Sequence, residues 1–209
     1  MIKGIKICGV SDLKILKYIT DHPHPPQFIG FITNYKKSKR HVKFEKLKEL
    51  LNVNKKRINF VSVLVNPKKE ILEKIKNLKF DYYQLYNVSP EKTKSIKNKY
   101  KKKIITALTI ENKSDVNRYK KFDSISDIIL FDSKGYERSL EFDHKLLKDL
   151  PNNITKMLAG NIQYDDRLDK YSKITDIIDV SGSLETSGKK DFFKINFFLK
   201  NIKKFKNED

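Results

Sequence analysis

The chain contains very little cysteine and no long apolar run. One cysteine among 209 residues excludes an internal disulfide framework and a zinc site built on several cysteine ligands. No apolar stretch approaches the roughly 18–20 residues that a membrane-spanning helix needs. The N-terminus also lacks the long apolar segment of a secretory signal. The sequence therefore predicts a cytoplasmic protein with no membrane partner.

Histidine is scarce as well, and its positions do not suggest a metal site. His22 and His24 flank a proline in a Pro-rich turn, His41 lies in a basic loop, and His144 precedes a helical pattern. No carboxylate or cysteine completes a ligand set with them at a useful spacing. We therefore expect no bound metal.

Positive charge is abundant, but arginine contributes little of it. The chain has 45 Lys and Arg against 26 Asp and Glu, a formal net charge of +19, and only five of the basic residues are Arg. Such a charge is typical of proteins that bind nucleic acid. Here, however, the lysines are scattered, and a preference for the AT-rich codons of Lys, Ile and Asn explains their number. We therefore expect no dedicated nucleic-acid partner.

Short apolar runs rich in β-branched residues recur at nearly regular intervals. Runs of this kind are typical of strands that are buried on both faces, as in a parallel sheet. The predicted strands are Ile2–Val10, Phe28–Thr33, Phe60–Val65, Tyr82–Tyr86, Ile104–Ile110, Ile128–Phe131, Met157–Ala159 and Ile177–Val180.

Eight segments with helical spacing alternate with these strands. Leu146, Leu147 and Leu150 mark the sixth, and a short seventh holds Leu168 and Tyr171. A repeat of about 25 residues per unit predicts an α/β fold, a single (β/α)8 TIM barrel with eight parallel strands that spans residues 1–209 as one domain. A doubly wound open sheet is the competing architecture, but no Gly-rich dinucleotide fingerprint follows the first strand.

The carboxyl ends of the predicted strands direct attention to two residues. Active sites of such barrels form at these ends, where strand one reaches Cys8 and strand six reaches Asp132. A thiol and a carboxyl across the barrel mouth suit the general base and the general acid of a proton transfer. The alternatives are a small buried apolar residue for Cys8, and a helix N-cap or a loop salt bridge for Asp132.

Small residues follow strands seven and eight. Gly160 and Gly182 stand where barrels of this type hold a phosphate with backbone N–H groups, because a side chain would keep the anion away from the amides. Ordinary turn chemistry also explains a glycine after a strand. The predicted phosphate-binding residues are Gly160, Asn161, Ser181, Gly182 and Ser183.

Several motifs in a fixed order connect the chain with a known family. The most specific are Lys6-Ile7-Cys8-Gly9 and Gly188-Lys189-Lys190-Asp191. The others are Gly30-Phe31-Ile32 with Lys37-Ser38-Lys39-Arg40, Val65-Asn66, Gln84-Leu85, Asp132 with Phe142-Asp143, Gly160-Asn161-Ile162, and Asp179-Val180-Ser181 with Glu185. With these motifs the chain resembles phosphoribosylanthranilate isomerase, a (β/α)8-barrel family of tryptophan biosynthesis.

The resemblance implies an Amadori rearrangement of N-(5′-phosphoribosyl)anthranilate to 1-(2-carboxyphenylamino)-1-deoxyribulose 5-phosphate. It implies Asp132 as the general acid that protonates the furanose ring oxygen, and Cys8 as the general base that takes the proton from C2. Arg40 would bind the anthranilate carboxylate, and Gln84 and Asp179 would also bind this phosphorylated small-molecule substrate. No cofactor is implied, because the nitrogen of the substrate serves as the electron sink.

This chemistry makes demands on the two ionisable groups. A thiol with a pKa of ~8.5 is mostly protonated at neutral pH, so a charge on the substrate or a loop must help Cys8. Lys6 adjoins it in sequence, and we expect the Lys6 side chain to point away on the other face of the strand. Asp132 must stay protonated, which requires desolvation or a nearby negative charge.

The chain departs from the family pattern at three places. Residues 133–141, SKGYERSLE, replace a Gly-rich stretch, the glycine after strand eight is shifted by one in Ser181-Gly182-Ser183, and Gln-Leu-His-Gly becomes Gln84-Leu85-Tyr86-Asn87. These departures leave two alternatives open, another sugar-phosphate isomerase or epimerase, and a diverged non-catalytic barrel that binds an anionic ligand or nucleic acid. Both a monomer and a homodimer fit the sequence.

Overall fold

Eight parallel strands form a closed barrel in a computed structural model that describes residues 2–133 and 142–206. Each strand pairs with the next one in sequence, and the last pairs with the first, where Lys6 lies opposite Asp179. The predicted TIM barrel is confirmed. The strands are β1 (Gly4–Cys8), β2 (Phe28–Ile32), β3 (Asn59–Val65), β4 (Tyr82–Tyr86), β5 (Lys103–Ile110), β6 (Ile128–Ser133), β7 (Lys156–Leu158) and β8 (Ile177–Val180).

In the described ranges, six α-helices pack around the barrel. They are amphipathic, and their buried apolar faces join the outer faces of the strands in one large cluster. None of these helices is long and apolar enough to span a lipid bilayer. The helices are α1 (Leu13–Asp21), α2 (Phe44–Leu51), α3 (Lys69–Ile75), α4 (Pro90–Tyr100), α5 (Lys113–Asn117) and α6 (Phe192–Lys206).

The helical segments described after β6 and β7 are 3₁₀ turns and not α-helices. Single 3₁₀ turns, His144–Leu147 and Leu168–Tyr171, stand where the sequence pattern indicated helices six and seven. Each connection covers the barrel with a pair of buried side chains three residues apart, Leu147 with Leu150 and Leu168 with Tyr171. In the described part of the two connections, a 3₁₀ turn therefore stands in place of an α-helix.

The barrel interior is a packed core with a polar upper end. Alternate strand residues point inward, and Phe28, Val61, Leu130 and Met157 belong to an inner apolar cluster that is separate from the outer one. The same alternation directs polar side chains inward near the carboxyl ends of the strands. The fold thereby gathers reactive groups above an apolar floor.

Candidate active site

A cavity of about 1000 Å³ opens at the carboxyl ends of the barrel strands. Within the described residues, no group of three or more His, Cys, Asp or Glu side chains is arranged to hold a metal ion. Every site residue predicted from the sequence lines this cavity except Gln84. Seven of the strands contribute to the lining, in order through Cys8, Ile32, Val65, Tyr86, Thr109, Asp132 and Asp179, and Gly160 contributes from the segment directly after β7.

A buried ammonium lies beside the thiol of Cys8. Lys6 is fully buried, and its Nζ donates a hydrogen bond of 2.5 Å to Oδ2 of Asp179. A Cβ placed on Gly30 would lie 2.9 Å from Sγ of Cys8 and 3.3 Å from Nζ of Lys6, so both side chains flank this glycine. The expectation that Lys6 points away from Cys8 is therefore wrong. Residues two apart on a strand share a face, and both lie on the inner face of β1.

Opposing effects act on the pKa values of this pair. Burial raises the pKa of the Cys8 thiol, while the charge of Lys6 and its hydrogen bond lower it. Burial lowers the pKa of Lys6, but the adjacent Asp179 and Cys8 together raise it above the ordinary value. The thiol is thus protonated at neutral pH, and it lies next to a buried ammonium that favours its thiolate.

The carboxyl of Asp132 is partly buried, lines the cavity and is hydrogen-bonded to Tyr86. The Tyr86 hydroxyl donates to Oδ2 of Asp132 at 2.7 Å, and Nε2 of Gln84 donates to the Tyr86 oxygen at 3.2 Å. Burial raises the pKa of Asp132 to about 6, although the hydrogen bond from Tyr86 acts to lower it. A carboxyl with this pKa is partly protonated near neutral pH, as a general acid requires.

Arg40 crosses the cavity mouth as the partner of a carboxylate. Its Nε and Nη2 donate to the two oxygens of Glu185 at 2.5 and 2.8 Å. Nζ of Lys190 contacts the same carboxylate at 2.5 Å, so Glu185 is shared between two cations. Gly9 has φ +74°, and a Cβ there would collide with Cδ of Arg40. Glycine therefore leaves the room through which the arginine reaches the cavity.

Small residues and free hydroxyls line the side of the cavity next to β7 and β8. Gly160 has φ +91°, and a Cβ there would lie 2.5 Å from Oγ of Ser133. The buried hydroxyls of Ser133 and Ser183 have no hydrogen-bond partner in the part of the chain that the structure describes. Because buried polar groups are normally paired, two such donors on one cavity wall suit an anion with several acceptor oxygens.

Comparison with known proteins identifies the family. The model of the family described as N-(5′-phosphoribosyl)anthranilate (PRA) isomerase matches residues 5–201. The chain belongs to this family. The match includes Cys8, Arg40, Asp132 and Asp179, so it covers the whole cavity described above.

Individual members of the isomerase family agree with this assignment. The N-(5′-phosphoribosyl)anthranilate isomerase of Petrotoga mobilis is 32% identical over 211 residues, which cover 97% of this chain and 98% of the relative. The crystal structure of the Thermotoga maritima phosphoribosyl anthranilate isomerase has a TM-score of 0.85 at 25% identity, covering 98% of this chain and 100% of that one. The fold is also similar to that of a phosphoribosyl anthranilate isomerase in complex with reduced 1-(o-carboxyphenylamino)-1-deoxyribulose 5-phosphate, with a TM-score of 0.83 at 24% identity and the same coverage.

The structure of this isomerase family member also shows what the sequence patterns missed. Gln84 is fully buried beneath Tyr86 and reaches Asp132 through it. No role followed from the sequence for Lys6 or Tyr86, although strand alternation places each beside a predicted site residue. No local pattern marks Glu185 as the partner of Arg40. Residues 134–141, where the Gly-rich family stretch is absent, lie outside the described residues.

Replacing Lys6 with Met is expected to lower the free energy of unfolding by about 3–5 kcal/mol, because it leaves the Asp179 carboxylate buried without its cation. Urea unfolding followed by circular dichroism measures the change. The double variant Lys6→Met/Asp179→Leu serves as the control and is expected to recover most of the loss, since it removes both charges. Equal loss in the single and double variants would contradict this explanation.

Proposed function

We propose that this cavity catalyses the Amadori rearrangement of N-(5′-phosphoribosyl)anthranilate in tryptophan biosynthesis, with Asp132 as the general acid and Cys8 as the general base. The observation that carries the proposal is the pairing of two groups in one cavity. A carboxyl with a pKa raised to about 6 faces the same space as a thiol that has a buried ammonium beside it. This is the arrangement that a cofactor-independent proton transfer needs.

In the first step, Asp132 opens the sugar ring. Its carboxyl proton passes to the furanose oxygen as the bond between C1 and that oxygen breaks. The lone pair of the anthranilate nitrogen forms the C1=N bond of a protonated Schiff base, and Asp132 is left as a carboxylate. The Tyr86 hydroxyl, which donates to Asp132 at 2.7 Å, stabilises the carboxylate that results.

In the second step, Cys8 removes the proton from C2. The electron pair of the C2–H bond forms a C1=C2 bond, and the electrons of the C1=N bond return to nitrogen, which gives an enolamine. The enol hydroxyl at C2 then loses its proton while C1 gains one, and the ketone product forms. Lys6 supports this step because its charge stabilises the thiolate form of Cys8.

The two anionic ends of the substrate match opposite parts of the cavity wall. We assign the phosphate to the segment with Gly160, Asn161, Ser181, Gly182 and Ser183, where the buried Ser183 hydroxyl offers an unpaired donor among the described residues. The planar fork of Arg40 suits the anthranilate carboxylate. Glu185 stays neutralised by Lys190 when Arg40 turns to the substrate. One barrel supplies all these groups, so a monomer and a homodimer are both compatible with the function.

The direct test is turnover of freshly prepared N-(5′-phosphoribosyl)anthranilate, followed by the loss of its fluorescence. We expect saturable turnover and a product with a carbonyl at C2, identified by NMR. A product that keeps the aldose skeleton would favour an epimerase. Loss no faster than in buffer, together with nucleic-acid binding that weakens steeply with salt, would favour the non-catalytic alternative.

Arg40→Lys is expected to raise KM about 10-fold and to change kcat much less, because lysine provides one donor point where arginine provides a planar fork. Steady-state kinetics measure both constants. Arg57→Lys is the matched control, since Arg57 is exposed and lies outside the cavity lining. An unchanged KM in Arg40→Lys would remove Arg40 from the substrate-binding role.

A further inference from the structure

Three side chains form a hydrogen-bonded chain that runs from the barrel core to the proposed acid. Nε2 of Gln84 donates to the hydroxyl oxygen of Tyr86 at 3.2 Å, and the Tyr86 hydroxyl donates to Oδ2 of Asp132 at 2.7 Å. Gln84 is 0% exposed and Tyr86 is 8% exposed. Both lie on the inner face of β4 because they are two residues apart. Gln84 and Tyr86 are therefore shielded from bulk water, while Asp132 lines the cavity.

The first two members of this chain can each donate and accept. A phenol carries one O–H donor and lone pairs, and a primary amide carries an NH₂ group and a carbonyl oxygen. In the present direction the carbonyl oxygen Oε1 of Gln84 is buried and has no hydrogen-bond partner among the described residues. A half-turn of the amide would bring this oxygen towards Tyr86 without breaking another bond of Oε1 among those residues.

We propose that Gln84 and Tyr86 form a reversible hydrogen-bond chain whose direction follows the protonation state of Asp132. While Asp132 is a carboxylate, the amide donates to the phenol and the phenol donates to Asp132. When Asp132 is a carboxylic acid and no substrate accepts its proton, it donates to the oxygen of Tyr86, and Tyr86 donates to Oε1 of Gln84. Each hydrogen of Gln84 and Tyr86 stays on its own atom, and the carboxyl is the single group that gains or loses a proton.

Such a chain provides the carboxyl of Asp132 with a hydrogen-bond partner in both of its protonation states. Asp132 alternates between an acid and a carboxylate, and a buried polar group without a partner is costly in either state. A fixed donor would bind the carboxylate more strongly than the neutral acid, and it would offer no acceptor to the O–H of the acid. A partner that can reverse holds the carboxyl at the same place in both states, so Tyr86 and Gln84 are positioning residues. This inference rests on the proposed role of Asp132 as the general acid.

The other charged groups near Asp132 do not replace this contact. Asp179 on β8 raises the pKa of Asp132, while Lys6 on β1 lowers it, and both act through their charge. Burial and the charge of Asp132 raise the pKa of the Tyr86 hydroxyl well above its ordinary value, and Cys8 and Asp179 raise it further. Tyr86 therefore keeps its proton throughout, and it is the side chain that hydrogen-bonds directly to Asp132 in the described part of the chain.

An NMR titration between pH 4.5 and 8 tests the proposal without any substrate. The probes are the carboxyl ¹³C of Asp132 and the side-chain ¹⁵N of Gln84 in labelled full-length protein. We expect the Gln84 amide to titrate with the same midpoint as Asp132, although Gln84 itself has no ionisable group. In Asp132→Asn the Gln84 transition is expected to disappear. A Gln84 signal that stays constant while Asp132 titrates would overturn the proposal.

The variant Tyr86→Phe interrupts the chain and keeps the ring. The Asp132 midpoint is expected to rise by about one pH unit, because the lost bond to the carboxylate is stronger than the lost bond to the neutral acid. The Gln84 signal is expected to stop following Asp132. An unchanged Asp132 midpoint would contradict the direct contact. Because these readouts need no turnover, they decide the inference even if the proposed reaction fails.

Kinetics add a second readout where turnover is present. Tyr86→Phe is expected to lower kcat about 10-fold with little change in KM, since the acid is misplaced while the substrate contacts are intact. Tyr86→His restores a side chain that both donates and accepts, and it is the residue of the family pattern at this position. It is expected to recover most of kcat. Equal losses in the two variants would count against a positioning role.

Discussion

The Asp132→Asn variant is expected to turn over N-(5′-phosphoribosyl)anthranilate about 10³-fold more slowly than the unaltered chain. Asparagine has nearly the same shape and accepts the same hydrogen bond from Tyr86, but it has no proton to give to the ring oxygen. General acid catalysis contributes on the order of 10²–10⁴ in rate, so its removal accounts for a loss of this size. Single-turnover fluorescence with excess protein measures it without interference from product release.

The same substitution is expected to stabilise the folded chain at neutral pH. Burial raises the pKa of Asp132 from its usual 3.8 to about 6, so the folded protein holds a proton that the unfolded chain has released. Stability therefore falls as the pH rises from about 4 to 6, and above this window the carboxylate costs about 3 kcal/mol. Asp132→Asn removes that cost at pH 7 and makes no difference below pH 4, where the group is protonated in both states.

Urea unfolding at pH 4 and pH 7 separates these effects. The matched control is Asp165→Asn, which changes an exposed carboxylate outside the cavity lining and is expected to alter neither turnover nor stability. A variant that is slow and also unstable at pH 7 would point to disrupted packing. A variant that turns over slowly and is more stable at pH 7 would show that the Asp132 carboxylate serves the reaction and destabilises the folded chain.

The sequence was sufficient for most of the barrel because its strands are short apolar runs. For β4 and β8 the predicted boundaries, Tyr82–Tyr86 and Ile177–Val180, are those of the structure. For β6 the prediction stopped at Phe131, since a polar pair such as Asp132-Ser133 looks the same in a strand end as in a loop. The sequence also did not distinguish the 3₁₀ turns after β6 and β7 from α-helices, because two apolar residues in the right phase do not specify the length of a helix.

The site was predictable as far as local periodicity reaches. The rule that barrel strands present reactive residues at their carboxyl ends places Cys8 and Asp132 in one cavity. The same period of two places Lys6 and Cys8 on one face of β1. The expectation that Lys6 points away from Cys8 therefore did not follow from the pattern. The contact between Arg40 and Glu185 is different in kind, because it joins residues 145 positions apart through side-chain geometry. No pattern along the chain encodes such a pairing.

Replacing Cys8 with Ser is expected to lower kcat by about 10²–10³-fold, which is the second large effect. The serine hydroxyl is similar in size to the thiol, but its pKa is so high that the charge of Lys6 cannot ionise it near neutral pH. Burial already raises the pKa of the Cys8 thiol, so the thiolate depends on the neighbouring ammonium. Cys8→Ala is expected to match Cys8→Ser. A serine variant with near-normal turnover would show that another group accepts the C2 proton.

The pH dependence of the unaltered chain adds a test of both roles together. The productive form has Asp132 protonated and Cys8 ionised, and the pKa of Asp132, about 6, lies below the raised pKa of Cys8. Between these two pKa values, the protonated fraction of Asp132 falls with pH as much as the ionised fraction of Cys8 rises, so kcat/KM is expected to stay level. It is expected to fall below about pH 6 and above the pKa of Cys8.

In Asp132→Asn the residual rate is expected to rise with pH through the Cys8 pKa alone. Alkylation of this single cysteine by iodoacetamide, followed by mass spectrometry, gives that pKa independently, because the thiolate is the reactive form. A residual rate whose midpoint differs from that of alkylation would exclude Cys8 as the base.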